Sequence, residues 1–166
     1  ATVMVKADHL PRLRRYARAM LGDRVAADDL VQDTLERAWT RFGQWRGGTD
    51  LRAWMFGIMH NLRVDQLRRP TLPTHSLDEE DFEMPTRPTQ TDNLEIKDIA
   101  SALSQLPAEQ REVLLLVALE EMSYAEIAAT LGIPPGTVMS RLSRGREALR
   151  LIMAGQQPVT RLRVIR

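Results

Sequence analysis

Hydroxyl and guanidinium side chains recur at helical spacing near the carboxyl end of the chain. They are Thr137, Ser140, Arg141 and Arg144. The spacing of i, i+3, i+4 and i+7 places all of them on one face of a helix. Such groups bind phosphate oxygens and the acceptor edge of guanine. The pattern therefore predicts a surface that contacts DNA.

The helix that carries these residues must begin after the sequence GIPPG, residues 132–136. A proline inside a helix costs about 3 kcal/mol, so this stretch must lie between two helices. Ser123 and Glu126 form a capping box that predicts the start of the preceding helix. Apolar or small residues occupy the opposite phase of the second helix: Val138, Leu142, Gly145 and Leu149. This arrangement is a helix-turn-helix, and the competing interpretation is a solvated helix in an all-helical bundle.

The composition indicates an all-α protein. Of the 166 residues 43% are hydrophobic and only 5% aromatic, whereas the helix-favouring residues Ala, Leu, Arg, Glu and Met abound. The chain has no cysteine, which excludes disulfides, thiolate metal sites and thiol nucleophiles and suits a reducing cytoplasm. The longest apolar run, residues 113–119, is far shorter than the roughly 20 residues that span a bilayer. No cleavable signal sequence is visible at the start.

The net charge is only +1, but the charges are unevenly distributed. Residues 70–93 contain six acids, one arginine and four of the nine prolines, which predicts a flexible acidic linker. The alternatives for this segment are a surface loop within one domain and an acidic shield for a basic face. Residues 37–69 carry seven arginines against two aspartates, and residues 136–166 carry seven against one glutamate. Two basic segments of this kind favour a polyanionic partner.

Three helices are predicted before the linker and four after it. They span about 8–21, 26–42 and 50–69, then 94–106, 107–121 and the two of the helix-turn-helix. The second helix carries an apolar stripe of Val31, Leu35, Ala38 and Phe42 and a polar stripe of Asp29, Gln32, Asp33 and Glu36. The third turns Leu51, Trp54, Ile58 and Leu62 inward. We therefore expect two small helical domains, 1–70 and 94–152, with a linker at 71–93 and a tail at 153–166.

Three segments together resemble bacterial RNA polymerase sigma factors of the extracytoplasmic-function group. They are ADDLVQDTLERAW, WRGGTDLRAWMFGIMHNLRVDQLRR and the sequence from LPAEQREVLLLVALEEMS to RLSRGREAL. The likeness covers about residues 8–152 in the family's order. It implies that the chain binds core RNA polymerase, directs it to promoters and helps to open the duplex. It also implies an anti-sigma factor as a partner, a cytoplasmic location and no cofactor.

The resemblance assigns roles to particular residues. Docking on the clamp coiled coil of the largest polymerase subunit falls to Asp29, Leu30, Gln32 and Asp33. Trp45, Arg46 and Asn61 are expected to capture an unpaired base of the −10 element. Further along the same helix as Asn61, three arginines are expected to contact backbone phosphates: Arg63, Arg68 and Arg69. Contact with the −35 element in the major groove falls to Thr137, Ser140, Arg141 and Arg144. Met139 stands where family members often carry a basic residue, so one phosphate contact is expected to be missing. The alternative for Met139 is contact with a thymine methyl group.

Several alternatives stay open. The polar stripe of the second helix could be an ordinary solvated face, and Trp45 could be a core residue. A decoy that resembles a sigma factor and titrates an anti-sigma factor would share this fold, but such mimics tend to lose the contact residues. A plain helix-turn-helix regulator would leave the first domain unexplained. Three scattered histidines and no metal or phosphate-loop motif give no catalytic constellation, so we expect no enzyme activity.

Overall fold

A computed structural model describes residues 9–45, 50–68 and 91–155, with side chains from residue 97 in the last range. The described residues form seven α-helices and one 3-10 turn, and no strand occurs among them. The helices are α1 (Leu10–Leu21), α2 (Arg24–Thr40), α3 (Leu51–Arg68), α4 (Thr91–Ser104), α5 (Ala108–Ala118), α6 (Tyr124–Leu131) and α7 (Pro135–Met153), and the 3-10 turn is Phe42–Gln44. The prediction of an all-α fold is confirmed.

The chain divides into two compact units. The first contains α1 to α3, and the second contains α4, α5, α7 and most of α6. Most of the predicted linker and tail lies outside the described residues. Helix α4 begins at Thr91, three residues earlier than expected, and α2 ends at Thr40 because the chain tightens into the 3-10 turn.

Helices α1 and α3 both pack against α2 in the first unit. Tyr16 of α1 meets Phe56 of α3 edge to face, with ring centroids 5.0 Å apart. Ile58 and Leu62 are buried as predicted, whereas Leu51 and Trp54 are only half-buried. Leu13, Met20, Met55 and Met59 complete the core. Helix α1 ends as expected at Gly22, whose φ of 76° is the left-handed conformation that glycine adopts without strain.

Helix α7 packs against α5 and α4 in the second unit. A Cβ placed on Gly145 would lie 3.0 Å from Leu114 Cδ1 and 3.3 Å from Gln110 Cβ, both on α5. The two helices therefore approach closely at a residue without a side chain. Val138 and Leu142, which precede Gly145 on the same stripe, are buried as the sequence predicted.

Arg111 of α5 joins the end of α4 to the start of α5. Its Nε donates to Leu103 O at 2.8 Å, and its Nη2 donates to Leu106 O at 2.7 Å and to Ser104 O at 3.3 Å. Leu103 and Ser104 belong to the last turn of α4, where carbonyls have no partner inside the helix. A guanidinium that reaches both of them, and Leu106 O in the turn that follows, stabilises the end of α4.

The predicted capping box at the start of α6 is confirmed. Ser123 N donates to Glu126 Oε1 at 2.8 Å, and Glu126 N donates to Ser123 Oγ at 3.1 Å. Helix α6 ends at Gly132, where φ is 72°, and Ile133 N donates to Ala128 O at 3.1 Å in the pattern of a Schellman motif. Helix α7 then starts with Pro134 as its N-cap and Pro135 as its first residue. The break at residues 132–134 is therefore the turn of the helix-turn-helix.

Ser123→Ala is expected to lower the free energy of unfolding of the second unit by about 1 kcal/mol, because it removes the acceptor that caps Glu126 N. Chemical denaturation followed by far-UV circular dichroism measures the change. Ser101→Ala, an exposed position inside α4, is the control and should change stability by less than about 0.5 kcal/mol. Equal stability of the Ser123 variant and the wild type would show that the capping box does not stabilise α6.

Candidate functional site

Helix α7 presents the predicted polar residues in its first three turns. Ser140 and Arg144 are exposed, and Thr137 and Arg141 are half-buried at the edge of the same face. The opposite side of the helix is the buried stripe that contains Val138. From residue 137 to residue 144 the helix rises by about 10 Å, which fits within the roughly 12 Å width of the B-DNA major groove. The four side chains can therefore contact one segment of duplex together.

An ion pair follows this surface along α7. Arg150 Nη2 donates to Glu147 Oε2 at 2.7 Å. This hydrogen bond lowers the pKa of Glu147 and raises the pKa of Arg150, since it favours the charged form of each group. Glu147 follows Arg144 by three residues, so a carboxylate lies on the same side of the helix. Because carboxylate and phosphate repel each other, the surface suited to DNA ends before Glu147.

The first unit carries a second group of predicted DNA-contacting residues. Trp45 follows the 3-10 turn, its amide donates to Phe42 O at 3.1 Å, and its ring centroid lies 5.6 Å from that of Phe42. The indole is half-buried, so it is not a core residue. Asn61 and Arg68 are exposed on α3, seven residues apart and hence on one face. Arg46 and Arg69 lie outside the described residues.

Two predicted contact residues are buried. Arg63 is only 7% exposed, beside the buried Leu62 on the inner side of α3. The helix turns it away from Asn61 and Arg68, so the predicted contact with DNA phosphate stays a prediction that the burial of this side chain does not favour. Leu30 is 1% exposed, so it belongs to the core and not to the exposed face of α2.

The remaining docking residues lie on one exposed side of α2. Asp29, Gln32 and Asp33 are all exposed, as is Glu36 one turn further along. An open groove of about 350 Å³ runs beside them between α2 and α3. Its charged lining consists of three carboxylates and one guanidinium, those of Asp33, Glu36, Asp65 and Arg37. This side of the first unit can therefore receive a cationic partner.

Trp39 extends the same side of α2 and was not singled out from the sequence. Its side chain is 63% exposed, although tryptophan is usually well covered in proteins. It follows Gln32 by seven residues and Glu36 by three, so it shares their face of the helix. An aromatic residue in the phase of a polar stripe was the signal available in the sequence. We name Asp29, Gln32, Asp33, Glu36 and Trp39 the α2 face.

The described part of the chain contains neither a cluster of metal-ligating residues nor a helix suited to cross a membrane. No group of three or more His, Asp or Glu residues there is arranged to hold a metal ion. None of the described helices combines the length and the apolar character needed to cross a membrane.

Comparison with protein families matches both halves of the chain. Residues 7–60 match the family described as the Sigma2 domain of PhyR, and residues 96–149 match the family described as Sigma-70, region 4. The ECF RNA polymerase sigma factor EcfG of Rhodopseudomonas palustris is 36% identical over 145 residues, which cover 87% of this chain and 80% of that protein. The ECF RNA polymerase sigma factor SigL of Mycobacterium tuberculosis is 37% identical over 151 residues, which cover 88% of this chain and 85% of that one.

Solved structures share the fold over most of the chain. The sigma factor RpoE of Bartonella quintana, in complex with the anti-sigma factor NepR, matches with a TM-score of 0.73 and 33% identity, covering 89% of this chain and 93% of that one. CnrH, in complex with the cytosolic domain of CnrY, matches with a TM-score of 0.69 and 29% identity, covering 93% and 88%.

Proposed function

Because this chain belongs to the ECF RNA polymerase sigma factors, we propose that it binds core RNA polymerase and directs it to promoter DNA. The observation that carries the proposal is that one chain has both an acidic surface suited to a protein partner and a basic, hydroxyl-bearing surface suited to DNA. The α2 face offers carboxylates to a basic protein partner, and the outward side of α7 offers hydroxyls and guanidiniums to DNA.

The two units divide the promoter between them. The second unit binds the −35 element through Thr137, Ser140, Arg141 and Arg144 in the major groove. The first unit binds the −10 element through Trp45, Asn61 and Arg68, together with Arg46 and Arg69. Residues 1–70 and 94–152 are the domains that perform these tasks, joined by the linker at 71–93.

Opening of the duplex requires that an extruded base be held outside the stack. Unstacking costs a few kcal/mol per step, and stacking on an aromatic ring returns about 1–3 kcal/mol per base. Trp45 is suited to this role because it is half-buried against Phe42, which fixes its ring while leaving part of it accessible. The exposed amide of Asn61 can bond the edge of the same base, and the exposed guanidinium of Arg68 can neutralise a phosphate.

Docking on polymerase falls to the α2 face. Its carboxylates suit a basic helix, such as one helix of the clamp coiled coil. The exposed ring of Trp39 adds apolar surface that becomes buried on binding, which favours the complex. Leu30 contributes indirectly, because its burial holds α2 in place.

An anti-sigma factor is the second protein partner that we propose. One relative in a solved structure is bound to the anti-sigma factor NepR and another to the cytosolic domain of CnrY, and both folds match this chain over most of its length. Such a partner would inhibit by covering the α2 face or the DNA-contacting side of α7. The protein works in the cytoplasm, where polymerase and DNA lie. It performs no reaction of its own and needs no cofactor, because nucleotide addition belongs to the polymerase.

Run-off transcription with purified core polymerase and a panel of promoters tests the proposed function. A discrete transcript that depends on both the chain and its promoter is the expected result. A chain that neither binds core polymerase nor supports a transcript would contradict the proposal and favour a decoy.

Asp33→Lys is expected to weaken binding to core polymerase at least about tenfold, since it replaces an attractive charge with a repulsive one. Analytical size exclusion and fluorescence titration of the labelled chain with core polymerase measure the affinity at two salt concentrations. The loss should shrink at high salt, because screening weakens the repulsion.

Asp98→Lys is the matched control for this experiment. It makes the same change of charge at an exposed position on α4, outside every surface assigned here. Its affinity for core polymerase should equal that of the wild type. Equal weakening in both variants would mean that net charge matters and the α2 face does not.

A further inference from the structure

Met139 is an exposed apolar residue on the DNA-contacting helix. Its side chain is 48% exposed, whereas Val138 and Leu142 beside it on α7 are buried. It belongs to the first three turns of the helix, the same turns that carry Ser140 and Arg144. About half of this side chain lies outside the packing of the second unit, so it is available to contact another molecule.

Two of the exposed neighbours of Met139 on the helix surface are small. Gly136 precedes it by three residues and Ser143 follows it by four. A Cβ placed on Gly136 would meet nothing within 4 Å. The thioether can therefore reach outward without an obstacle, and the small residues let this side of the helix approach another surface closely.

Met139 and the two arginines, Arg141 and Arg144, lie on opposite sides of Ser140 around the surface of α7. At about 100° per residue, Met139 lies about 140° around the helix from Arg144 and about 160° from Arg141, with Ser140 between them. A helix that enters a groove in this orientation turns guanidiniums toward one part of the duplex and an apolar group toward another. The methionine can therefore contact a position that the arginines do not reach.

The base edges in the major groove offer one apolar group, the C5-methyl of thymine. Methionine suits it, because its unbranched side chain and polarisable sulfur adapt to irregular contacts. A hydrogen-bonding base edge would gain nothing from a thioether and would lose water. The chemistry of Met139 thus matches thymine alone among the four bases.

We propose that Met139 selects thymine at one position of the upstream promoter element by packing against its C5-methyl group. The proposal rests on the function proposed above and names a residue that determines its specificity. It predicts that DNA chosen by this protein carries thymine at that position and that the preference depends on the methyl group.

The test uses holoenzyme assembled from the full chain and core polymerase. A promoter library randomised in the upstream element is selected by binding, once with the wild type and once with Met139→Ala. Each thymine of the selected element is then replaced singly by deoxyuridine, which removes only the methyl group. At one position we expect the replacement to weaken wild-type binding about fourfold, the effect of one buried methyl group. The same replacement should not change binding by the M139A holoenzyme.

Two further variants distinguish a direct contact between Met139 and the thymine methyl group from an indirect effect of the substitution on the helix. Met139→Leu keeps an apolar side chain and should retain the response to methyl removal. Arg144→Ala should weaken binding to the upstream element yet keep the ratio between thymine and deoxyuridine templates. An equal ratio for wild type and M139A, or no position sensitive to methyl removal, would overturn the role of Met139 while leaving promoter binding intact. Failure of the wild-type holoenzyme to select any promoter would instead overturn both this proposal and the proposed function.

Discussion

Trp45→Ala is expected to slow duplex opening by a factor between about five and 150 while leaving the first complex with DNA intact. The range corresponds to the roughly 1–3 kcal/mol that a base gains by stacking on an aromatic side chain. The first complex should persist, because it depends on α7 and on phosphate contacts. Permanganate reactivity of unpaired thymines measures opening, and filter binding with a duplex competitor measures the first complex.

Two controls decide whether Trp45 captures a base. Trp45→Phe keeps an aromatic face and should retain most of the opening rate. A template with a mismatched bubble at the −10 element removes the cost of unpairing, so the W45A holoenzyme should recover most of its activity on it. Equal loss on bubble and duplex templates would assign Trp45 to the fold or to polymerase binding.

Arg144→Ala is expected to weaken recognition of the upstream element by about 1–3 kcal/mol, up to roughly 150-fold in affinity. Arg144 is the exposed arginine among the four contact residues of α7, and the neighbouring Glu147 pairs with Arg150, so Arg144 is placed to meet DNA. Measurements of affinity at several salt concentrations distinguish its partner. Loss of a phosphate contact reduces the slope of log affinity against log salt by about one, whereas loss of a guanine contact relaxes the preference at one base pair.

Arg14→Ala is the matched control, because it removes the same charge from an exposed position on α1 outside the proposed surfaces. Its promoter affinity should be close to that of the wild type. If R14A and R144A weaken binding equally and without change in base preference, the effect is one of overall charge and α7 has no special role.

Periodicity and local motifs predicted most of the helical structure. The capping box at Ser123, the break at Gly132 and the end of α1 at Gly22 depend on interactions between residues close in sequence. Such interactions are decided by local geometry, so they can be deduced from spacing alone. The inward stripe of Val138, Leu142 and Gly145 could be deduced for the same reason.

The sequence did not predict which way some side chains face after packing. Leu30 and Arg63 lie within the segments of the resemblance, and a match of segments cannot tell a core residue from a surface one. Arg63 in particular is a charged residue at a buried position, which helical periodicity does not predict. Trp39 is the converse case, an aromatic residue left exposed. Arg111 was not singled out either, because its three carbonyl partners lie outside its own helix, at the end of α4 and in the turn that follows.

Helix α7 packs against α5 at Gly145, whereas the residues proposed to contact DNA lie on the outward side of α7. Leu114 and Gln110 hold the helix at Gly145, and none of the outward side chains takes part in that contact. The exposed outward residues, Ser140 and Arg144, can therefore be exchanged without repacking the unit beneath them. Promoter preference in this scaffold should be open to redesign at a handful of positions, which would yield mutually orthogonal genetic switches that share one fold.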